Sequence, residues 1–201
     1  MIYLASRSPR RRELLTQIGV KFEPLLFREG SRTDADTDEA VHPGEQPDEY
    51  VRRVTQLKAE AAWQRVVMRR GLRRMPVLAA DTTVALAGEI LGKPADRADA
   101  ERILKLLSGT QHRVLTAVGI QLESRYEMAV SESLVTFGRL DEERIQAYAL
   151  SGEPFDKAGA YGIQGRAGAF IERIEGSYSG VMGLPLFETA NLLRKFGVAV
   201  P

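Results

Sequence analysis

The amino-acid sequence predicts an α/β fold. Segments with the apolar alternation of strands interleave with segments that have the apolar spacing of helices along the 201 residues. Hydrophobic residues make up 44% and charged residues 27%, a globular composition, and a chain of this length forms one large or two small domains. We find neither an internal repeat nor a low-complexity tract that would indicate another architecture.

The N-terminal segment predicts a strand followed directly by a helix. The apolar run from Ile2 to Ala5 is typical of a strand, and Ser8 and Pro9 are residue types favoured where a helix begins. Apolar residues at helical spacing then extend the predicted helix to Ile18, and Gly19 ends it. A second strand is expected from Phe22 to Phe27.

The stretch from Arg28 to Gln46 has almost no apolar residues, so we interpret it as a loop at the functional site. Its acidic residues are Asp34, Asp36, Asp38 and Glu39. Pro47 then opens a long helix that ends near the basic stretch Arg69 to Arg74, which we interpret as a solvated helix end.

An apolar strand over Val77 to Ala80 is expected to stop at Asp81-Thr82-Thr83 and to resume over Val84 to Leu86 before a hairpin turn at Ala87-Gly88. A carboxylate in such a run is costly to bury, so Asp81 is expected to be paired, bound to a metal or placed at an active-site edge. The alternative is a carboxylate that only caps a strand end.

The remaining elements follow from the same patterns. They are a helix from Asp96 or Asp99 to Leu107, an antiparallel strand pair over His112 to Leu122 and Glu127 to Phe137, a helix from Asp141 to Ser151-Gly152, a glycine-dense stretch from Asp156 to Gly165, a strand over Ala169 to Ile174, and a helix over Pro185 to Phe196.

Three arginines follow Ser8-Pro9 at the start of the first helix. Free N–H groups at a helix N-terminus, hydroxyls and guanidinium groups together favour a phosphate ligand. The alternative is an ordinary capped helix whose arginines lie in solvent. A basic set (Arg10, Arg11, Lys58, Lys93), an acidic set (Asp38, Glu39, Asp81) and a glycine-rich loop with Lys157 and Gln164 together indicate metal-assisted phosphoryl chemistry.

Several classes of protein are disfavoured. A net charge of +1 argues against a stable nucleic-acid partner, and the absence of cysteine with only two histidines makes any metal oxygen-ligated, as Mg²⁺ is. No P-loop or dinucleotide-binding motif is present. No apolar run would serve as a leader or span a membrane, so we expect a cytoplasmic protein.

Six blocks, in order, resemble the signature motifs of the Maf family of nucleoside triphosphate pyrophosphatases. They are Leu4-Ala5-Ser6-Arg7-Ser8-Pro9-Arg10-Arg11, Ala80-Asp81-Thr82, Gly92-Lys93-Pro94, the segment from Leu107 to Thr116, the segment from Asp156 to Gly165, and Gly183-Leu184-Pro185. The resemblance implies one domain over residues 1–201, an elongated mixed β-sheet with flanking helices, two lobes around a central cleft, and a possible homodimer. The Asp156 to Gly165 block resembles the branch that acts on dTTP and UTP.

The resemblance also implies residue roles. Asp81 would be the proton acceptor, and Arg10, Thr82 and Gln164 would discriminate between substrates. The triphosphate would be held by Ser6, Arg11, Lys58 and Lys93. Asp81 and Glu39, or Asp38 in place of Glu39, would bind a divalent cation, Mg²⁺ or alternatively Mn²⁺.

Two other functions remain open at this point. The chain could be a non-enzymatic, nucleotide-responsive regulator of cell division, or a house-cleaning hydrolase of noncanonical purine triphosphates. Single residues also have simpler alternatives: Lys58 as a surface lysine and Gln164 as a loop-stabilising amide. We interpret His112 as structural, and Tyr161 and Tyr178 as core residues or as stacking partners for a base.

Overall fold

The computed structural model describes residues 1–25 and 38–200. Within these residues strands and helices alternate as predicted. The strands are β1 Ile2–Leu4, β2 Phe22–Pro24, β3 Val77–Leu86, β4 Glu89–Leu91, β5 Gln111–Leu122, β6 Arg125–Phe137 and β7 Ile171–Glu175. The helices are α1 Pro9–Gln17, α2 Pro47–Met68, α3 Arg97–Leu107, α4 Glu142–Leu150, α5 Tyr178–Met182 and α6 Leu186–Lys195, with short 3₁₀ segments at Glu153–Asp156, Ala158–Ala160 and Arg166–Phe170.

The strands form one mixed sheet, which confirms the predicted fold class. Their spatial order is β2-β1-β3-β5-β6-β7, and β4 pairs with β3 outside this path. β1 runs parallel to β2 and β3, whereas the long strands β3, β5 and β6 pair antiparallel to their neighbours. The predicted connection between β5 and β6 is a tight turn, and the two strands pair along their whole length, from Gln111↔Thr136 to Leu122↔Arg125.

Two strands, β1 and β4, pair with the same edge of β3, and they leave the middle of that edge unpaired within the described residues. β1 pairs with Val77 and Leu78, and β4 pairs with the end of the strand from Val84 onward. The backbone N–H of Ala5 donates to the carbonyl of Leu78 at 2.8 Å, after which the chain leaves the sheet toward α1. The middle of β3, with Asp81 and Thr82, therefore faces the segment that joins β1 to α1.

The hydrophobic core is divided between the two ends of the long strands. At one end, α3, α4 and the 3₁₀ segments pack on residues such as Val84 and Val135. At the other end, α1 and α6 cover one face of the sheet around Leu78, and α2 covers the opposite face around Ala79. This division corresponds to the predicted lobes, and the middle of β3 lies between them.

Several predicted boundaries were wrong. β3 is continuous from Val77 to Leu86, because Asp81, Thr82 and Thr83 remain in register with β5. The strand predicted from Ala169 begins at Ile171, since residues 166–170 form a 3₁₀ segment. Helix α5 was not predicted, because five residues are too few to show helical periodicity.

Part of the predicted acidic loop cannot be compared with the structure. Residues 26–37, which include the end of the second predicted strand, Asp34 and Asp36, lie outside the described residues. Residues 38–46 are irregular, as expected, and Gln46 caps α2 in a capping box with Glu49. No helix in the described part of the chain is both long and apolar enough to span a bilayer.

Candidate active site

A cavity of about 290 Å³ lies over the middle of β3, close to the lower limit of ordinary small-molecule sites. Its described lining contains six cationic side chains and three carboxylates, so its charge is suited to an anionic ligand. The cations are Arg7, Arg10, Arg11, Lys58, Lys93 and Lys157, and the carboxylates are Glu39, Asp81 and Asp156. Ser6, Thr82 and Ile163 also contribute to the lining.

Lys58 of α2 lies between two carboxylates. Its Nζ is 2.8 Å from Oδ1 of Asp81 and 2.8 Å from Oε1 of Glu39, and its side chain is only 9% exposed. Burial alone would lower the pKa of Lys58, but the charges of Asp81 and Glu39 and their hydrogen bonds raise it overall, so the ammonium stays charged. Lys58 is therefore a buried ion-pair partner and not a surface lysine.

The segment that carries Glu39 is held against α2. The guanidinium group of Arg53 donates to the carbonyls of Asp38 and Ala40 at 2.9 and 2.8 Å and forms an ion pair with Glu45 at 2.6 Å. The hydrogen bond from Arg53 lowers the pKa of Glu45 to about 2. The segment is thereby fixed so that the Glu39 side chain reaches Lys58.

Tyr50 adds a further contact to the same segment. Its hydroxyl donates to the carbonyl of Glu39 at 3.1 Å. Burial and the negative charges of Asp81 and Glu39 raise the pKa of Tyr50 to about 12, so the hydroxyl remains a donor.

Of the two acidic residues considered for a metal, Glu39 lies in the cavity and Asp38 does not. The exposed Asp38 carboxylate accepts from the backbone of Ala40 and lies 3.1 Å from Nε2 of His42. Lys93, which follows β4, lies 3.9 Å from the second carboxylate oxygen of Glu39 with 52% of its side chain exposed. Glu39 therefore connects the buried lysine to an exposed one.

Arg11 on α1 connects the two walls of the cavity. Its guanidinium group donates to Oγ of Ser6 at 3.2 Å, to Oγ1 of Thr82 at 3.3 Å and to the carbonyl of Gly183 at 2.7 Å. Ser8 caps α1 as predicted, because its hydroxyl accepts from the N–H of Arg11 at 3.4 Å. Arg11 thus lies in the first turn of α1, in contact with Ser6 before the helix and with Thr82 on β3.

A directed chain of hydrogen bonds continues from Thr82. The hydroxyl of Thr116 donates its single proton to the carbonyl of Gly180 at 2.7 Å. The contact of 3.0 Å between the Thr82 and Thr116 hydroxyls must then have Thr82 as donor. Thr82 consequently has no proton left for a ligand and can only accept, as it does from Arg11.

Arg10 contacts the glycine-rich stretch. Its Nη1 is 3.5 Å from Oδ2 of Asp156, and Asp156 also pairs with Lys157. Asp156 opens the block that resembles the dTTP and UTP branch, but the sequence analysis gave it no functional role of its own. The ion pair joins α1 to the loop that follows α4.

The structure places Gln164 differently from the other predicted site residues. Gly162 and Ile163 line the cavity, whereas Gln164 is exposed in the following turn and is not among the lining residues. The remaining predicted site residues come together around the cavity: Ser6, Arg10, Arg11, Glu39, Lys58, Asp81, Thr82 and Lys93.

His112 is a core residue. Its ring is 1% exposed, and Nε2 lies 2.8 Å from the hydroxyl of Tyr161. Burial lowers the pKa of His112 to about 4, so the ring is neutral at neutral pH. Tyr161 is buried against His112 and Phe137 with one part at the cavity, while Tyr178 is exposed and is not among the cavity-lining residues.

Two carboxylates could contribute to a cation site. Asp81 and Glu39 converge on one nitrogen, and each has a second oxygen that is not its 2.8 Å contact with Lys58. The described residues contain no group of three or more acidic, histidine or cysteine side chains that could hold a metal. This donor set fits Mg²⁺, which usually takes one or two carboxylates and fills its coordination with water and substrate phosphates.

Comparisons with known proteins identify the family of this chain. The family model described as Maf-like protein matches residues 1–196. Among curated relatives, the dTTP/UTP pyrophosphatase of Cupriavidus metallidurans is 60% identical over 198 residues, which is 98% of each chain. Those of Dechloromonas aromatica and Aromatoleum aromaticum are 56% and 59% identical and cover 98% of this chain and 97% and 95% of their own.

A more distant likeness is found among solved structures. The Ham1 protein of Staphylococcus aureus is similar with a TM-score of 0.47 and 18% identity over 97% of this chain and 96% of that chain, values too low to identify a shared function. The family model and the curated relatives span nearly the whole chain. This chain therefore belongs to the Maf family.

Proposed function

We propose that this chain hydrolyses dTTP and UTP to the nucleoside monophosphate and pyrophosphate. The observation that carries the proposal is the position of Asp81, a carboxylate at a cavity whose other charges are mostly cationic. Curated relatives at 52–60% identity over nearly their full length are named dTTP/UTP pyrophosphatases. A carboxylate among cations supports the proposal, because the reaction needs a proton acceptor and positive charge beside the phosphates.

Asp81 accepts a proton from a water molecule, which attacks the α-phosphorus and releases pyrophosphate. Lys58 holds the Asp81 carboxylate through its 2.8 Å contact. An ammonium group has three N–H donors, and two of those on Lys58 are directed at Asp81 and Glu39. The third is available to a phosphate oxygen, which agrees with the predicted phosphate-binding role of Lys58.

Ser6, Arg11 and Lys93 complete the triphosphate site. Arg11 is fixed by its contacts with Ser6 and Thr82, so its charge is already in position before substrate binds. Lys93 is half-exposed and can follow the ligand. Positioned cations of this kind stabilise the charge that develops on the phosphate chain.

We propose that a divalent cation, Mg²⁺ or alternatively Mn²⁺, is held by Asp81 and Glu39. Such a cation neutralises phosphate charge and orients the phosphate chain when it is bound. The two carboxylates lie close enough for this role because both contact Lys58.

We propose that Arg10, Thr82 and Gln164 discriminate between substrates. The carboxamide of Gln164 offers a donor and an acceptor side by side, which matches the O4 and N3–H edge shared by uracil and thymine. Its neighbour Ile163 lines the cavity, so the turn is close enough for a bound base to reach it. Arg10 contacts the same loop through Asp156.

A panel of nucleoside triphosphates tests the proposal. In the presence of Mg²⁺, the protein is expected to release pyrophosphate from dTTP and UTP much faster than from GTP and dITP. Equal rates for all bases would remove the claim of pyrimidine selectivity, and a preference for dITP would favour the purine hydrolase. Absence of turnover with every triphosphate would favour the non-enzymatic regulator. A homodimer, a cytoplasmic location and the absence of a nucleic-acid partner stay predictions.

A further inference from the structure

The turn formed by residues 162–165 has one side at the cavity and the other against α4 and the 3₁₀ segment after it. Gly162 and Ile163 line the cavity. The turn is closed by a hydrogen bond from the N–H of Gly165 to the carbonyl of Gly162 at 3.0 Å. Its position is therefore the position of one cavity wall.

Two side chains outside the cavity lining hold this turn at both ends. The hydroxyl of Tyr148 donates to Oε1 of Glu153 at 2.9 Å and accepts from the N–H of Gly162 at 3.4 Å. The second carboxylate oxygen of Glu153 accepts from the N–H of Arg166 at 3.2 Å. The phenol and the carboxylate together therefore hold the backbone just before and just after the turn.

The backbone of the turn packs closely against the side chains of Glu153 and Lys157. A Cβ atom on Gly165 would clash with Oε1 of Glu153, and a Cβ atom on Gly162 would lie 2.7 Å from Cε of Lys157, so in each case the facing side chain would have to move. Lys157 is in turn fixed by donating to the carbonyl of Glu153 at 2.6 Å. The turn thus packs with its backbone directly on Glu153 and Lys157.

The Tyr148 hydroxyl keeps its proton under ordinary conditions. Tyr148 is only 3% exposed, and burial, reinforced by the hydrogen bond to Glu153, raises its pKa. The phenol therefore always has a proton for Glu153 and a lone pair for Gly162. Each carboxylate oxygen of Glu153 accepts a hydrogen bond, one from the Tyr148 hydroxyl and the other from the N–H of Arg166.

We infer that Glu153 and Tyr148 are positioning residues for substrate discrimination, because they set the distance between the 162–165 turn and the base of a bound pyrimidine nucleotide. The inference rests on the proposed function. Both residues are absent from the described lining of the cavity, so they act through the turn and not on the substrate. The triphosphate site, on the other side of the cavity around Arg11 and Lys58, has no contact with Tyr148 or Glu153 among the hydrogen bonds described above.

The test compares Tyr148→Phe and Glu153→Gln with the unaltered protein. Tyr148→Phe removes one oxygen atom, and Glu153→Gln keeps the shape but turns one of the two acceptors, facing either Tyr148 or the N–H of Arg166, into a donor. For both variants the ratio of kcat/KM for UTP to kcat/KM for CTP is expected to fall by about 10-fold or more, mainly through a higher KM for UTP. Tyr126→Phe is the matched control and should leave the ratio unchanged, because the hydroxyl of this β6 tyrosine has no hydrogen-bond partner among the described residues and Tyr126 does not line the cavity.

Inorganic tripolyphosphate separates positioning of the base from general damage, because it has phosphates but no base. Its inhibition constant against UTP hydrolysis should change less than about 2-fold in both variants, a difference well below 1 kcal/mol in binding. An unchanged UTP to CTP ratio in Tyr148→Phe, or tripolyphosphate affinity that falls in proportion to that for UTP, would overturn the inference. If the unaltered protein does not prefer UTP to CTP, it is the base discrimination in the proposed function that fails, and if it hydrolyses no triphosphate, the proposed function as a whole fails.

Discussion

Lys58 and Asp81 form a buried ion pair, with Nζ of the lysine 2.8 Å from Oδ1 of the aspartate. The partners come from α2 and β3 and are separated by 23 positions in the sequence. Because Lys58 compensates the charge of Asp81, and Asp81 together with Glu39 compensates that of Lys58, changing either residue affects both the stability of the fold and the chemistry of the cavity.

Asp81→Asn is expected to abolish most of the hydrolysis while leaving the cavity in place. Loss of a positioned general base lowers rates by about 100-fold to 10,000-fold, whereas the amide keeps the shape of the side chain. Pyrophosphate release measures the rate, and titration calorimetry with UTP measures the binding that should persist. Near-normal turnover would show that another carboxylate accepts the proton.

Lys58→Met is expected to lower the free energy of unfolding by about 3 kcal/mol, because it leaves Asp81 and Glu39 facing each other without the ammonium. Mg²⁺ should restore part of this loss by binding between the carboxylates. Denaturant unfolding with and without Mg²⁺ measures both effects.

The matched control for this change is Lys105→Met. Lys105 also lies 2.8 Å from a carboxylate, that of Glu142, but both side chains are more than half exposed. An ion pair between exposed side chains contributes little to stability because solvent screens it, and its loss should not respond to Mg²⁺. Equal effects of the two substitutions would contradict the role given to the Lys58 ion pairs.

Thr116→Val tests the hydrogen-bond chain that fixes Thr82. The substitution removes the acceptor for the Thr82 proton and leaves the carbonyl of Gly180 without its donor, which should cost about 1–3 kcal/mol of stability. The KM for UTP should also rise, since Thr82 and Arg11 lose their fixed orientation. Thr116→Ser retains the hydroxyl and should restore both properties; a serine variant as impaired as the valine variant would argue against the chain.

The buried, neutral state of His112 should make the stability of the fold depend on pH. Because burial lowers its pKa from an ordinary value of 6.5 to about 4, the unfolded chain binds a proton between these pH values that the folded chain does not. The contribution of His112 to the free energy of unfolding is therefore fully present above about pH 6.5. On acidification this contribution falls by up to about 1.4 kcal/mol per pH unit until about pH 4.

Denaturant unfolding between pH 4 and 7 measures this slope. His112→Asn should remove it, while His42→Asn, at the other histidine, should leave it in place. A slope that persists in His112→Asn would mean that other groups produce it.

The sequence predicted which residues line the site better than it predicted the contacts between them. Asp81 was identified because a carboxylate in an apolar strand requires compensation, and Ser8 because it precedes Pro9 at a helix start. The partner of Asp81 was not predicted, since Lys58 comes from a distant helix and its spacing also fits a surface position. Asp81 and Thr82 are adjacent, yet they contact different elements because successive strand residues face opposite sides of the sheet.

The hydrogen bonds made by Thr116 and Glu153 could not be predicted from the sequence. Thr116 ends one of the six blocks that resemble the family motifs, but the resemblance gave it no role of its own, and Glu153 precedes a proline in a loop. Their functions depend on hydrogen bonds to backbone groups of Gly180 and Arg166, which only the folded chain brings near. For Gln164 the sequence did predict a role, because a carboxamide matches the edge of a pyrimidine base. In the structure, however, the residue is exposed beside the cavity.

The most direct test of the central claim is the position of oxygen from water in the products. If Asp81 directs water onto the α-phosphorus, hydrolysis of UTP in water enriched in oxygen-18 should place one labelled atom in the nucleoside monophosphate and none in pyrophosphate. Mass spectrometry of the two products measures this. Label in the pyrophosphate, or inorganic phosphate as the released product, would contradict the account.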